Sequence, residues 1–260
     1  MSPVSSHDAA HRGPVWVALD LETTGLDSAT DAIIEVGAVK FHGDEAVGTF
    51  HRLVNPGRPL PEFIQALTGI TPGELESAAS FGSIADELTS FVGAAPVIGH
   101  NIAFDLAFLR QAGLQLAGPS YDTYDLASVL FPSLSSYSLV NVAQALGVAH
   151  DRPHRALGDA EATMAVFQGF LRELGRLPAP VLHEIRRIAE RSDWSLRLLF
   201  RQMPPVAADA PERAEPGLEG LDLRALGERL AQEPAPFAKP EPLPLDPGEM
   251  RRLLDRGGPL

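Results

Sequence analysis

The stretch VALDLETTGLD, Val17 to Asp27, sets two acids, Asp20 and Glu22, into an otherwise apolar run. Burying carboxylates beside Val17, Leu19 and Leu21 costs on the order of several kcal/mol unless something compensates them. Side chains alternate across a strand, so Asp20 and Glu22 share one face while Leu19 and Leu21 take the other. Two carboxylates side by side repel and raise each other's pKa unless a cation sits between them. Hard divalent ions, Mg²⁺ above all, prefer such oxygen ligands and leave room for substrate phosphate. Taken alone, the pair is equally well a strand emerging at a solvated edge.

Composition narrows the chemistry. The 260 residues contain no cysteine, which excludes disulfides, thiolate zinc sites and a cysteine nucleophile. No run reaches membrane-spanning length and the first residues have no signal-peptide core, so a cytoplasmic protein with no membrane contact is expected. The net charge of −13 argues against broad, sequence-independent binding to a phosphate backbone. An acidic site that recruits divalent cations can still present a positive face to phosphate.

Residues 1–13 read as a flexible arm. Strand patterns cover Val15–Leu21, Ile33–Phe41 and Val47–Val54, the last two separated by HGDEA, a turn that suggests an antiparallel hairpin. Helical spacing follows through Phe81, Ile84, Leu88 and Phe91/Val92. A short buried strand, Pro96–Gly99, precedes a helix that starts after Asn101 as N-cap and stops at Gly113. PSYDT reads as another strand, and helices are expected at about Tyr124–Leu130, Ser138–Leu146 and Gly158–Leu174. Three strands followed by alternating strands and helices describe a mixed α/β sheet. Residues 14–176 form this domain and 177–203 a helical extension, with Ser192–Asp193 capping a short helix through Phe200. Residues 204–260 are a Pro-rich linker holding 11 of the 23 prolines, with short helices near Leu221–Leu230 and in DPGEMRRLLDRGG.

Further acids accompany the first pair. Asp105, in VIGHNIAFDLAFLR, stands in the first turn of a helix, where an acid also serves simply to complement the helix dipole. Asp159, in HRALGDAEATMAVF, has the same position in another helix, with His154 five residues earlier in a loop.

Together, Asp20-x-Glu22 with TTGL, GHNIAFDLAFL with Asp105, and His154-x4-Asp159 resemble the three sequence blocks of the DEDDh exonucleases. This is the family of the proofreading subunit of bacterial DNA polymerase III and of ribonuclease T. The resemblance covers roughly Val15 to Leu174, with IIEVGAVKF, LTGIT, YDTYDLA and SYSLVNVAQALGV in the family's usual order. It implies a ribonuclease-H-like fold, a mixed five-stranded sheet with its first three strands antiparallel and helices packed around it. It implies that Asp20, Glu22, Asp105 and Asp159 hold two Mg²⁺ or Mn²⁺ ions roughly 3.5–4 Å apart, the spacing that suits in-line phosphoryl displacement. His154 would be the general base, since imidazole has an ordinary pKa of about 6.5, close to working pH. The implied reaction releases nucleoside 5′-monophosphates from a 3′ end, single-stranded DNA being the first candidate substrate. Thr23, Thr24, Gly25 and Leu26 would meet the terminal nucleotide, with Leu26 wedged against its base. His100, Asn101 and Phe104 would line the groove, the Leu67–Thr71 loop would lie near the terminal nucleotide, and Asp122 would be structural.

HEIRRIAERSDWSLRLLF and LDPGEMRRLLDRGGPL resemble the segment that joins an exonuclease to the motor in DinG-type helicases, which suggests a fused or associated helicase or polymerase. No G-x-x-x-x-G-K-[ST] loop occurs, so this chain is not itself the ATPase. Two other readings stand beside a DNA exonuclease: an exoribonuclease or short-oligonucleotide hydrolase, and a non-catalytic interaction module. Intact acids and His154 count against the last.

Overall fold

Apolar residues at Val15, Trp16, Val17, Leu19 and Leu21 build the strand on which the first two acids sit. In a computed structural model, which describes residues 14–192 and 194–202, this is β1 (Val15–Thr23). β2 (Ile33–His42) and β3 (Glu45–Asn55) fold back beside it through a tight turn in which Gly43 takes a positive φ of 57°, so β1, β2 and β3 are successively antiparallel. Next come α1 (Glu62–Thr68), α2 (Pro72–Glu76), the two-residue β4 (Ala79–Ser80), α3 (Phe81–Val92), β5 (Val97–Gly99), α4 (Ile102–Gln111) and β6 (Ser120–Asp122). The chain continues through α5 (Thr123–Leu130), α6 (Leu139–Ala145), α7 (Ala156–Arg176), α8 (Ala179–Glu190) and α9 (Arg197–Gln202).

The sheet order is β4-β3-β2-β1-β5-β6, with β4, β5 and β6 parallel to their neighbours. The expected mixed sheet with an antiparallel first half is therefore present. It has six strands rather than five, because Ala79 and Ser80 pair with Val54 and Asn55 at the outer edge. Two residues carry no periodicity, so the sequence offers no sign of this strand. The same brevity hides α1 and α2, of seven and five residues.

Alternation along β1 divides the core. Val17, Leu19 and Leu21 pack with Ile84, Leu88 and Val92 of α3 and with Phe108 and Leu109 of α4. On the other face Trp16 meets the rings of Tyr121 and Phe167, at 5.7 and 5.2 Å between centroids, so α7 covers the side that Asp20 and Glu22 share. A side chain at Gly37 on β2 would collide with the Ala156 backbone at 2.2 Å, and this glycine lets the start of α7 lie directly on the sheet.

Leu182, Ile185 and Ala189 of α8 are buried, as expected from their spacing, and so are Leu196, Leu199 and Phe200. The Trp194 ring lies 5.3 Å from that of Phe200, and its indole hydrogen-bonds Asp125 of α5. Helix α9 starts only at Arg197, so Ser192 does not cap it, and Asp193 lies outside the described residues. The expected arm 1–13, the linker 204–260 and its two short helices also lie outside them. Among the described residues no helix is long and apolar enough to cross a membrane.

Candidate active site

The parallel pairing of β1 with β5 ends at Ala18 and Ile98, because the chain leaves β5 at Gly99 to begin α4. Beyond that point the edge of β1 has lost its strand partner. Asp105, buried in the first turn of α4, takes its place: its Oδ1 accepts the Leu21 N–H at 3.0 Å. This bond fixes one acid against the strand that carries Asp20 and Glu22.

Asp159 arrives from the opposite layer, one turn into α7. Its Oδ2 accepts the His154 N–H at 3.0 Å, and its Oδ1 accepts a hydrogen bond from His150 Nε2. Side-chain ligand atoms of Glu22, His154 and Asp159 all lie within 4.8 Å of one another. His154 occupies the left-handed region with φ 63°, uncommon outside glycine, which turns its ring back toward this cluster.

Among the described residues no Lys or Arg forms an ion pair with Asp20, Glu22, Asp105 or Asp159. Burial, then repulsion from Asp105, Asp159 and Glu22, pushes the Asp20 carboxyl well above the usual carboxylate range. Glu22 is pushed up to about 8, first by burial and then by Asp159, Glu35 and Asp105, with Arg155 acting weakly in the other direction. Burial raises Asp105 strongly despite its bond from Leu21, and raises Asp159 despite the bond from His150. Such a set is what external divalent cations relieve, and all-oxygen donors with one imidazole suit Mg²⁺ or Mn²⁺. The site thus fits the metals that the sequence pattern implies.

The expected substrate contacts fall in three environments. Thr23 and Thr24 brace their own loop: Thr23 Oγ1 donates to Gly25 O at 2.6 Å, and Thr24 Oγ1 donates to Asp31 Oδ1 at 3.0 Å. A Cβ on Gly25 would strike the Asp31 carboxylate at 2.4 Å, so this loop closes around Asp31, a residue with no local motif to mark it. Leu26 at the loop tip is 65% exposed, an apolar side chain open mostly to solvent. Phe104 is half-buried, 4.8 Å from the Phe108 ring.

Asn101 is an exposed N-cap residue with φ 65°, but its side chain does not cap α4. The Asp122 carboxylate does so instead, accepting the N–H groups of Asn101, Ile102 and Tyr124 at 2.9, 3.1 and 2.8 Å. Both ring nitrogens of His100 are engaged inside the protein, Nε2 donating to Tyr137 O at 2.7 Å and Nδ1 lying 2.9 Å from Thr123 Oγ1. Burial lowers its pKa to about 4, so the ring is neutral and only its faces remain for the groove. Of the expected Leu67–Thr71 loop, Leu67 and Thr68 lie in the last turn of α1 and only Gly69 to Thr71 link the helices, with Thr71 and Glu74 forming a reciprocal capping box at the start of α2.

Two groups were not singled out from sequence. His150 was invisible because its bond to Asp159 crosses a loop with no fixed spacing. Glu35 could be suspected only as a lone charge within the apolar run IIEVGAV. It is fully buried, and its carboxylate accepts bonds from Arg155, Ala156 N–H and His51.

Comparison with known proteins follows the same outline. Residues 17–167 match the RNase_T family model, described as Exonuclease. The chain is 36% identical over 181 residues to the 3′-5′ exonuclease DinG of Bacillus subtilis, covering 67% of this chain and 19% of that protein. It is also 36% identical over 195 residues to a PolC-type DNA polymerase III of Thermotoga maritima, covering 73% and 14%. The chain thus spans less than a fifth of either relative's length. Among solved structures, Exonuclease X in complex with 5′ overhanging duplex DNA is similar with a TM-score of 0.54 and 24% identity, covering 62% of this chain and 94% of that one. The nuclease domain of 3′hExo, a DEDDh family member bound to rAMP, gives a TM-score of 0.54 at 20% identity over the same shares. These two support the fold.

Proposed function

This chain belongs to the RNase_T exonuclease family, and on that footing we propose that it removes nucleotides one at a time from nucleic acid 3′ ends, with single-stranded DNA the preferred substrate. The observation that carries this reading is the set of mutually repelling acids Asp20, Glu22, Asp105 and Asp159, of which, among the described residues, only Asp159 has a histidine partner, with the His154 ring drawn to Glu22 and Asp159. Similarity to a 3′-5′ exonuclease DinG supports the polarity. Relationship to that protein and to a PolC-type polymerase supports work beside a helicase or polymerase module on the same or a partner chain.

Asp20, Glu22 and Asp159 would hold one divalent cation, and Asp20 with Asp105 a second. Bound there, the ions supply positive charge that offsets the phosphate and lowers the pKa of a water molecule. The chain's own residues do the rest. Among the described residues the His154 ring has no hydrogen-bond partner, so a ring nitrogen is open to accept the proton from the attacking water. The water oxygen bonds to phosphorus, the bond from phosphorus to the 3′ oxygen of the preceding sugar breaks, and that oxygen leaves with a proton. Leu26, exposed at the tip of a loop braced by Thr24 and Asp31, offers an apolar surface to the terminal base.

Single-stranded DNA and RNA labelled at the 5′ end, incubated with the chain and Mg²⁺ or Mn²⁺, test this directly. A ladder shortening from the 3′ end, with nucleoside 5′-monophosphates released, is the expected result. Folded protein that shortens neither strand refutes an enzyme, and faster loss of RNA replaces the DNA assignment with an exoribonuclease.

A further inference from the structure

Glu35 has no place in the mechanism just described, yet its carboxylate binds both residues that follow His154. Its carboxylate, 0% exposed, takes the Arg155 guanidinium side-on, with Nε at 3.2 Å from both oxygens and Nη2 at 2.8 Å from Oε1. The same carboxylate accepts the Ala156 N–H at 2.9 Å through Oε2, and His51 Nε2 donates to Oε1 at 2.6 Å. The two residues immediately after His154 are therefore both anchored to β2. The residue itself is anchored to α7 through its N–H on Asp159. A non-glycine residue in the left-handed region persists where its surroundings over-determine it, and these two anchors do so on either side. Gly37, two residues along β2, provides the room for Ala156 to reach this seat.

We propose that Glu35 is the positioning residue of the His154 turn: its buried carboxylate grips Arg155 and Ala156 and thereby sets the His154 ring over Glu22 and Asp159, without touching metal or substrate. This rests on the reading of His154 as proton acceptor. A base displaced by even about 1 Å loses a large part of its rate advantage, on the order of 100-fold. An amide in place of the carboxylate turns one acceptor into a donor that faces Arg155 or Ala156 N–H, so the grip opens without a change of volume.

The test uses the full 260-residue chain. With 5′-labelled single-stranded DNA and Mg²⁺, Glu35→Gln is expected to lower kcat about 10- to 100-fold and to leave KM within about twofold. In a His154→Ala background the same change should cost less than about twofold more, because it acts through a ring no longer present. Two readouts do not depend on turnover. The His154 ring signal in the NMR spectrum of the metal-free protein, identified by its loss in His154→Ala, should move in Glu35→Gln, and Mn²⁺ affinity should stay within about threefold. Wild-type kcat in Glu35→Gln, an unmoved ring signal, a loss that multiplies with that of His154→Ala, or a collapse of Mn²⁺ affinity would each overturn the proposal. If Glu35→Gln does not fold, Arg155→Ala, which removes the exposed partner, carries the same expectations. The ring signal reports position whether or not the protein cleaves DNA. An inactive wild type or a fully active His154→Ala therefore defeats the functional reading and remains distinguishable from a failure of the positioning claim.

Discussion

Glu22 and Glu35 face each other across β1 and β2 as a cross-strand pair, and they are held in opposite ways. Glu35 sits among donors. Burial pulls its pKa upward, but bonds from Arg155, His51 and Ala156 N–H outweigh that and hold it below the usual carboxylate range. Glu22 sits among acids and is pushed up to about 8. The same side chain type, on neighbouring strands, is thus a finished structural element in one place and an unfinished electrostatic problem a few ångströms away. The difference teaches where to look for function. A buried acid whose counter-charge is built into the chain belongs to the fold, and one whose counter-charge is missing marks where an external cation belongs.

The strongest way to break this comparison is to remove the central acid. Asp20→Ala is expected to abolish shortening of DNA in Mg²⁺ and in Mn²⁺, a loss beyond about 1,000-fold, whereas His154→Ala should keep a small residue of activity, since general base catalysis contributes about 10²- to 10⁴-fold. Full activity in Asp20→Ala would end the metal assignment.

Stability should move in opposite directions in the two regions. Glu35→Ala leaves the Arg155 charge and the Ala156 N–H without their acceptor. It should cost about 3 kcal/mol in denaturant titration, the lower end for a broken buried pair because Arg155 is partly exposed. Asp20→Asn, measured in EDTA, should raise Tm because it removes the cost of keeping this carboxyl among Asp105, Asp159 and Glu22. If both variants fall by the same amount, the division between finished and unfinished acids is wrong.

A pH series sharpens the point without mutation. The folded pKa of Glu22 lies above its unfolded value near 4.5, so its contribution to stability is full below about 4.5 and is lost as pH rises through about 8. Glu35 has the reverse sign: its contribution is present above its unfolded pKa and disappears as pH falls through its lowered folded value. In EDTA, Tm should therefore be a few degrees higher at pH 6 than at pH 8. Mg²⁺ should raise Tm more at pH 8, where Glu22 is closer to ionisation than at pH 6, and an equal effect of Mg²⁺ at both values would count against metal binding by this group.

The smallest expected effect lies at the loop tip. Leu26→Ala should raise KM for single-stranded DNA by several-fold and leave Tm unchanged, because the side chain is 65% exposed and supports no packing. A lower Tm with an unchanged KM would make Leu26 a packing residue instead.

Much of the site was legible in the chain, part of it from local spacing and part from the family pattern. Asp20 and Glu22 sit two apart on one strand, whereas Asp105, His154 and Asp159 look ordinary alone and became candidates through the resemblance of their surrounding blocks to the DEDDh exonucleases. The start of α7 shows where such reading fails. The glycine at 158 looks like a boundary, but the helix begins at Ala156 without a side-chain N-cap of its own. The acceptor for its first N–H is Glu35, 121 residues away in sequence, so no local pattern announces it. Asp122 similarly satisfies the start of α4 from β6, although Asn101 occupies the cap position.

Spacing within single elements was enough to place Asp20 and Glu22 on one face and to pair β2 with β3 as a hairpin, while Asp105, His154 and Asp159 joined the two acids only through the resemblance to the DEDDh exonucleases. Only the tertiary structure decided which acids are already neutralised and what holds the base. Glu22 shares its strand with Asp20 and Glu35 shares its strand with Lys40, but neither pattern tells which carboxylate finds donors in space. Their difference arises because Arg155, Ala156 and His51 converge on Glu35 from distant points of the chain, while the charges that act most on Glu22 are the acids Asp159, Glu35 and Asp105. Electrostatic compensation depends on distances through space, and those exist only once the sheet has closed against α7.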